Sequence, residues 1–155
     1  MRKMGMAGIG FSAFSAGMLG TNRRGRFGSP AYAETPDDVA AAQTLRHDCF
    51  GLNHAHGLDQ DAFDDLCEHM LVEDAETSDL ICCYRIMHLN SGDDITRSYS
   101  AQYYNLSALQ SYQGKLVEMG RFCIDPACND PDVLRIAWGA MTQYVDHNDV
   151  SLLFG

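Results

Sequence analysis

Residues 116–126 read L-V-E-M-G-R-F-C-I-D-P, which places a carboxylate (Glu118), a glycine (Gly120) and a guanidinium (Arg121) within four positions. The apolar residues around them predict a strand. A glycine inside a strand marks a bulge, which bends the strand, frees backbone groups and re-aims side chains. In a regular strand Glu118 and Arg121 point to opposite faces, and one extra residue between them brings both to the same face. Together such groups suit acyl transfer from a thioester to an amine. A carboxylate can take the amine's proton, freed N–H groups can hold the developing oxyanion, and a guanidinium can hold an anionic part of either substrate. Glu118 is the candidate general base and Arg121 the candidate anion-binding group.

The elements that must position these residues follow from local signals. Residues 27–33 form a candidate first strand. Thr35 is a helix N-cap, with Pro36 at the first helical position and Asp37 and Asp38 at the positive end. Val39, Ala42, Leu45, Cys49 and Phe50 give that helix an apolar side, and Arg46 and Phe50 share one side by their spacing. Residues 51–59 read as a loop and 61–67 as a short helix. Residues 69–74 and 80–89 read as an antiparallel hairpin. Residues 107–112 suggest a further short helix, and 116–124 form the key strand. The next helix is the best marked: Asp130 caps it, Pro131 opens it, and Leu134, Ala137, Trp138, Met141 and Val145 recur on one face. Residues 150–154 make a short apolar strand, and strand–helix–strand implies a parallel crossover. The expected class is a three-layer α/β fold with a mixed sheet.

The bulk properties bound the function. The 155 residues suit one domain, and the net charge of −10 lacks the basic stripe that a nucleic-acid footprint requires. Six cysteines (Cys49, Cys67, Cys82, Cys83, Cys123, Cys128) have no C-x-x-C spacing. They read as reduced apolar fillers in a cytoplasmic protein. The closest pairs, His54-x-His56 and Cys67-x-His69, lack further ligands, so no metal site is expected. Residues 1–26 carry an apolar, Gly-rich run beside Arg23, Arg24 and Arg26. They read as a mobile tail, or as a weak peripheral contact with anionic lipid at the inner membrane face; residues 27–155 form the domain.

The strand E-M-G-R-F-C-I resembles the central strand of the ornithine N-acyltransferase family of ornithine-lipid synthesis. Four more segments resemble that family in the same order: A-A-A-Q-T-L-R-H-D-C-F (40–50), L-D-Q-D-A-F-D (58–64), C-C-Y-R-I (82–86) and R-S-Y-S-A-Q-Y-Y-N-L-S-A-L (97–109). The family belongs to the GNAT superfamily and is similar in layout to acyl-homoserine-lactone synthases. The resemblance implies a GNAT-like three-layer α/β fold whose central sheet splays. It implies a 3-hydroxyacyl group moving from acyl carrier protein to the α-amino group of L-ornithine. It also implies that Arg46, Phe50, Asp61, Asp64 and Arg85 surround the substrate pocket, with Gly120 and Phe122 of the key strand. No dissociable cofactor is implied, because the donor is the carrier's phosphopantetheine arm. The turn at 125–131 agrees: it is acidic and lacks glycine, a poor seat for the pyrophosphate of coenzyme A. Tyr99, Tyr103, Tyr104 and Trp138 are aromatics that could line an acyl tunnel or simply fill the core.

The family fold continues past residue 154 with further strands, so this chain reads as lacking its C-terminal strands. Two other readings therefore stand beside the first. One is an acyl-homoserine-lactone-synthase-like enzyme, and the other is an inactive fragment that at most binds the carrier or a membrane surface.

Overall fold

A computed structural model describes residues 26–51 and 56–155. Residues 1–25 of the tail expected at 1–26, together with His54, lie outside the described residues, whereas Arg26 pairs with Asp74 at 3.3 Å. Five strands form one mixed sheet in the order β1-β2-β3-β4-β5. They are β1 (Ala31–Tyr32), β2 (Glu68–Glu73), β3 (Leu80–Leu89), β4 (Lys115–Ile124) and β5 (Val150–Phe154). The first four pair antiparallel and β5 joins β4 in parallel. Helix α1 (Pro36–Phe50) covers one face and α2 (Asp132–His147) the other. The first strand is shorter than expected, although Phe27 makes an isolated bridge to Asp74.

β3 is the axis of the molecule. It is buried over nearly its whole length, as a strand covered on both faces must be. Its alternating residues separate two cores. Cys82, Tyr84 and Ile86 pack under α2 with Met70, Val72, Val117, Ile136 and Met141. Cys83 packs under α1 with Ala42, Leu71 and Cys123. Met87 and Leu89 join Ile95 and Leu116 beneath the 3₁₀ turns that link β3 to β4. Adjacent Cys82 and Cys83 thus face opposite layers, and burial pushes the Cys82 thiol up to about 12. Thiols this hard to ionise act as apolar filler rather than as nucleophiles.

Helix α1 starts as the sequence dictates. The Thr35 hydroxyl accepts the Asp38 N–H and the Asp38 carboxylate accepts the Thr35 N–H, a reciprocal capping box. Gly51, at φ 61°, closes the helix in the left-handed region. Phe50 is not on the buried side; it is exposed at the helix end. Helix α2 begins one residue later than expected, with Pro131 as the N-cap and Asp132 the first helical residue, although Asp130 accepts the Asp132 N–H at 3.0 Å. Its buried face is rotated from the expected one. Val133, Ile136, Ala137, Ala140, Met141 and Tyr144 face the sheet, while Leu134 and Trp138 face solvent. The helix carries two apolar stripes, and small Ala137 and Ala140 let the one bearing them approach the sheet more closely.

The feature that shapes the site lies in the β3–β4 ladder. Cys83 pairs with Cys123 and Arg85 with Gly120, so two steps on β3 oppose three on β4. The extra residue is a bulge, and Arg121 sits in it at φ 54°. On the near side of the bulge, Leu116 faces the turn core and Val117 the α2 core; beyond it, Phe122 packs towards α2 and Cys123 towards α1. Phe122, expected at the substrate pocket, therefore stacks on Tyr84 with ring centroids 5.6 Å apart, on the opposite face from the polar cluster. The bulge consumes one step of alternation and turns Phe122 away.

The connection from β3 to β4 crosses the site through three 3₁₀ turns, Gly92–Arg97, Ser100–Gln102 and Ser107–Leu109. Gly92 is buried where a Cβ would collide with the backbone oxygens of Leu109 and Gln110. Gly92→Ala should lower stability by about 1–3 kcal/mol, as overpacking against rigid backbone does. Urea unfolding of the two proteins measures it.

Candidate active site

Three arginines and three aspartates meet on the α1 face of the sheet. Arg46 projects from α1, Arg85 from β3 and Arg121 from the β4 bulge. The aspartates Asp59, Asp61 and Asp64 come from the segment between α1 and β2. The Arg46 Nε donates to Asp59 Oδ2 at 2.9 Å and its Nη2 to Asp64 Oδ1 at 2.9 Å. Arg46 Nη2 also donates to the backbone carbonyl of Asp59. The Arg85 Nη1 donates to Asp61 Oδ1 at 2.6 Å and to Asp64 Oδ1 at 3.0 Å. Arg121 completes the ring, with Nε 3.0 Å from Asp59 Oδ2 and Nη2 3.4 Å from Asp61 Oδ2.

Burial grades this cluster from structural to accessible. Arg46 has no exposed surface, and Asp59, Asp64 and Arg85 are nearly as deep. Asp61 and Arg121 each keep 25% of the side chain exposed, so they form the rim. Burial pushes the Asp64 carboxyl up, but the Asp61 N–H and the guanidiniums of Arg46 and Arg85 outweigh it and hold the group below the ordinary carboxylate value. Asp61 balances in the same way: burial raises it, and Arg85 with the Phe63 N–H brings it lower overall. Burial lowers His69, which keeps it neutral at physiological pH. Its Nε2 lies 3.1 Å from the Asp64 carbonyl oxygen, so that nitrogen carries the proton.

Glu118 faces the same side as Arg121, as a bulge between them requires. Its carboxylate is held by backbone donors. Both carboxylate oxygens are taken: Oε2 accepts the Tyr99 N–H and Oε1 the Ser100 N–H, each at 2.7 Å. The residue is only 4% exposed. This carboxylate clamps the start of the middle 3₁₀ turn. The clamp fixes Tyr99, whose ring lies 5.1 Å from the Arg121 guanidinium carbon and 5.8 Å from that of Arg85. Phe63 packs edge-on against Tyr99 at 5.3 Å. The Phe50 ring lies 5.8 Å from the Arg121 guanidinium carbon, so two aromatic rings flank this cation. Gly120 pairs opposite Arg85 with open space where a Cβ would stand.

The structure thus gathers Arg46, Phe50, Asp61, Asp64, Arg85, Gly120, Glu118 and Arg121 and leaves Phe122 out. Trp138 lies on the solvent face of α2, and Tyr103 and Tyr104 are exposed. One participant escaped the sequence reading, Asp59, and Tyr99, expected to line an acyl tunnel or fill the core, lies beside Arg121. Charge balance was the available signal for Asp59: three arginines entering one interior need three acids, and position 59 precedes the two already chosen. Among the described residues no group of three or more His, Cys, Asp or Glu side chains could hold a metal ion. No helix among them is long and apolar enough to cross a membrane.

Asp64 joins two buried guanidiniums, so Asp64→Asn should cost about 3–5 kcal/mol by leaving them uncompensated. Because its folded-state pKa is depressed, the stabilisation is present above the ordinary carboxylate value and is lost as pH falls through the lowered one. The stability gap between wild type and Asp64→Asn, measured by urea unfolding, should therefore be widest at neutral pH and narrow in acid.

Comparison with known proteins agrees with this geometry. The acetyltransferase (GNAT) domain profile matches residues 43–139, which contain the whole cluster. L-ornithine N(alpha)-acyltransferase of Rhodobacter capsulatus is 26% identical over 137 residues, covering 79% of this chain and 53% of the relative. The enzyme of the same name from Brucella abortus is 26% identical over 149 residues, covering 84% and 53%. The chain thus spans about half the length of these curated relatives. Among solved structures, the acyl-homoserine-lactone synthase LasI superposes with a TM-score of 0.56 at 18% identity, over 82% of this chain and 72% of the other. FeeM, an N-acyl amino acid synthase from uncultured soil microbes, gives 0.58 at 17%, over 83% and 70%. At such identities the superpositions speak to the fold, and with the profile match they show that this chain belongs to the acetyltransferase (GNAT) domain family.

Proposed function

We propose that the chain is an N-acyltransferase domain that moves a 3-hydroxyacyl group from acyl carrier protein to the α-amino group of L-ornithine, the first step of ornithine-lipid synthesis. The observation that carries this reading is the bulge in β4. It presents Arg121 on the same face as the Glu118 clamp and interrupts the ladder beside them. The curated relatives named for ornithine acylation support the acceptor.

In this reaction the neutral amine nitrogen attacks the thioester carbonyl carbon, and the C–S bond breaks from the tetrahedral intermediate. The amine loses one proton and the carrier's thiol leaves. The cluster's charge suits this acceptor. Three guanidiniums stand against three aspartates, Glu118 adds a further negative charge, and His69 is neutral. The excess negative charge favours an amino acid with two ammonium groups and one carboxylate. Asp61 is the rim acid nearest such an ammonium, and Arg121 the rim cation for a carboxylate.

A carrier-bound donor is supported by the turn before α2. An anion at this helix start would compete with acids already using its donors. Asp125 Oδ1 accepts the Ala127 N–H at 2.8 Å, and Asp130 accepts the Asp132 N–H. The pyrophosphate of coenzyme A would meet these carboxylates, whereas a carrier presents a single phosphodiester. A contact with the membrane surface, where the lipid product would leave, is part of the same proposal and rests on the basic residues of the N-terminal segment.

The test is to incubate the chain with 3-hydroxyacyl carrier protein and labelled L-ornithine and to follow acylated product by mass spectrometry. Product is expected; its absence while the carrier binds would overturn the reading. In the same assay Glu118→Gln should lower kcat about tenfold or more, the scale of a lost charge-assisted hydrogen bond. The loss should be similar from pH 6 to pH 9, because an anchor takes no proton from the amine. A loss confined to low pH would instead make Glu118 the base.

A further inference from the structure

The Tyr99 hydroxyl has a position that packing alone does not require. It accepts an N–H from Arg121 Nη1 at 3.5 Å and hydrogen-bonds with the Tyr103 side chain, at the rim of the cluster. Arg121 uses its Nε edge on Asp59 and its Nη2 on Asp61. Nη1 is thus the end of the guanidinium turned away from the aspartates, with the phenol beside it. The ring cannot swing away easily. Its backbone is clamped by Glu118, Phe63 packs on its edge, and Tyr103 lies 5.3 Å from it in a tilted arrangement. A phenol O–H and a guanidinium N–H side by side form a two-donor fork, and a carboxylate has two acceptor oxygens to meet it.

We infer that Tyr99 is an acceptor-binding residue whose hydroxyl, with Arg121 Nη1, receives the α-carboxylate of the amino-acid acceptor. This assignment deepens the proposed function and rests on its acceptor being an amino acid. It gives the Glu118 clamp a purpose, since the two 2.7 Å bonds from the Tyr99 and Ser100 N–H groups are what fix the phenol in place. It also orients the acceptor. With the carboxylate at the fork, the adjacent α-amine lies within the first few ångströms of the bulge, and an ammonium on the side chain can reach the rim carboxylate Asp61. The Phe50 ring also lies 5.8 Å from the Arg121 guanidinium carbon.

Binding decides this without any acyl donor. The affinities of L-ornithine and L-ornithinamide are measured by calorimetry for wild type and for Tyr99→Phe, which keeps the ring and loses only the hydroxyl. Wild type should prefer the acid by about tenfold, and the variant should lose most of that preference while retaining the wild-type melting temperature. An identical acid-to-amide ratio in both proteins would overturn the assignment, as would a wild type that shows no preference or binds neither compound. In turnover the same variant should raise KM for the acceptor and leave KM for the acyl carrier unchanged. If the carboxylate preference depends on Tyr99 but no acyl transfer occurs, the proposed reaction fails and the carboxylate site stands.

Discussion

One residue too many in β4 sets the arrangement of the site. Without it, Glu118 and Arg121 would point to opposite layers, and Arg121 would lie under α2, away from Asp59 and Asp61. With it, Arg121 joins Glu118 on the α1 face, Phe122 and Ile124 turn to the α2 core, and Cys123 fills the α1 core. The bulge thus shifts the alternation by one residue, so the side chains from Arg121 onward change face and the apolar pattern resumes beyond it. The ladder to β3 resumes at Cys83 and Cys123. This economy explains why a five-stranded sheet can carry a buried polar cluster on a face that is otherwise apolar.

The cluster is a poor way to build stability. Taking guanidiniums and carboxylates out of water costs several kcal/mol per ion, and mutual attraction repays this only when the remaining hydrogen-bonding groups are satisfied. Here they are not all satisfied. Arg46 Nη1, Arg85 Nε and His69 Nδ1 are buried without a hydrogen-bond partner among the described residues. Apolar side chains of similar volume would hold α1 to the sheet at least as well. What the ions provide is position: the deep pair Arg46 and Asp64 fixes the 3₁₀ turn Asp64–Leu66, which fixes Asp61, which in turn holds Arg121 at the rim. The buried part of the network works as a second layer that orients the exposed part.

Much of this fold could be read from the sequence because local signals and global structure agree. Thr35, Pro36 and Asp38 announce α1; Asp130 and Pro131 announce α2; the polar run at 75–79 separates β2 from β3. Glycine at 120 pointed to the bulge, although the residue that takes the left-handed conformation is Arg121 beside it. The misreadings have a common physical origin. Leu134 and Trp138 are as apolar as the true buried face of α2, and one helix cannot reveal which of two stripes its sheet will accept. Phe122 was placed at the pocket by resemblance alone, and the bulge turns it to the other face. Phe50 was read as core from its spacing, whereas the helix end carries it past the sheet to flank Arg121. The roles of Glu118 and Tyr99 were hidden for another reason. A carboxylate bonding two backbone N–H groups from a distant irregular turn leaves no periodic trace.

The backbone at Arg121 carries the remaining argument. A non-glycine residue at φ 54° is less stable than in the right-handed region by roughly 1–2 kcal/mol. Glycine at the same place would relieve that strain, and glycine is already present one position earlier, where φ is not in the left-handed region. An arginine at the strained position therefore persists because its side chain returns more than the backbone loses. It lies against Asp59 and Asp61 and between the rings of Phe50 and Tyr99. The same contacts make the strain useful. The left-handed turn directs the guanidinium across the strand, to a rim that an extended residue at this position would not reach. Strain, ion pairs and the clamped tyrosine thus hold one cation at one place, and each contact loses much of its effect when either of the others is removed.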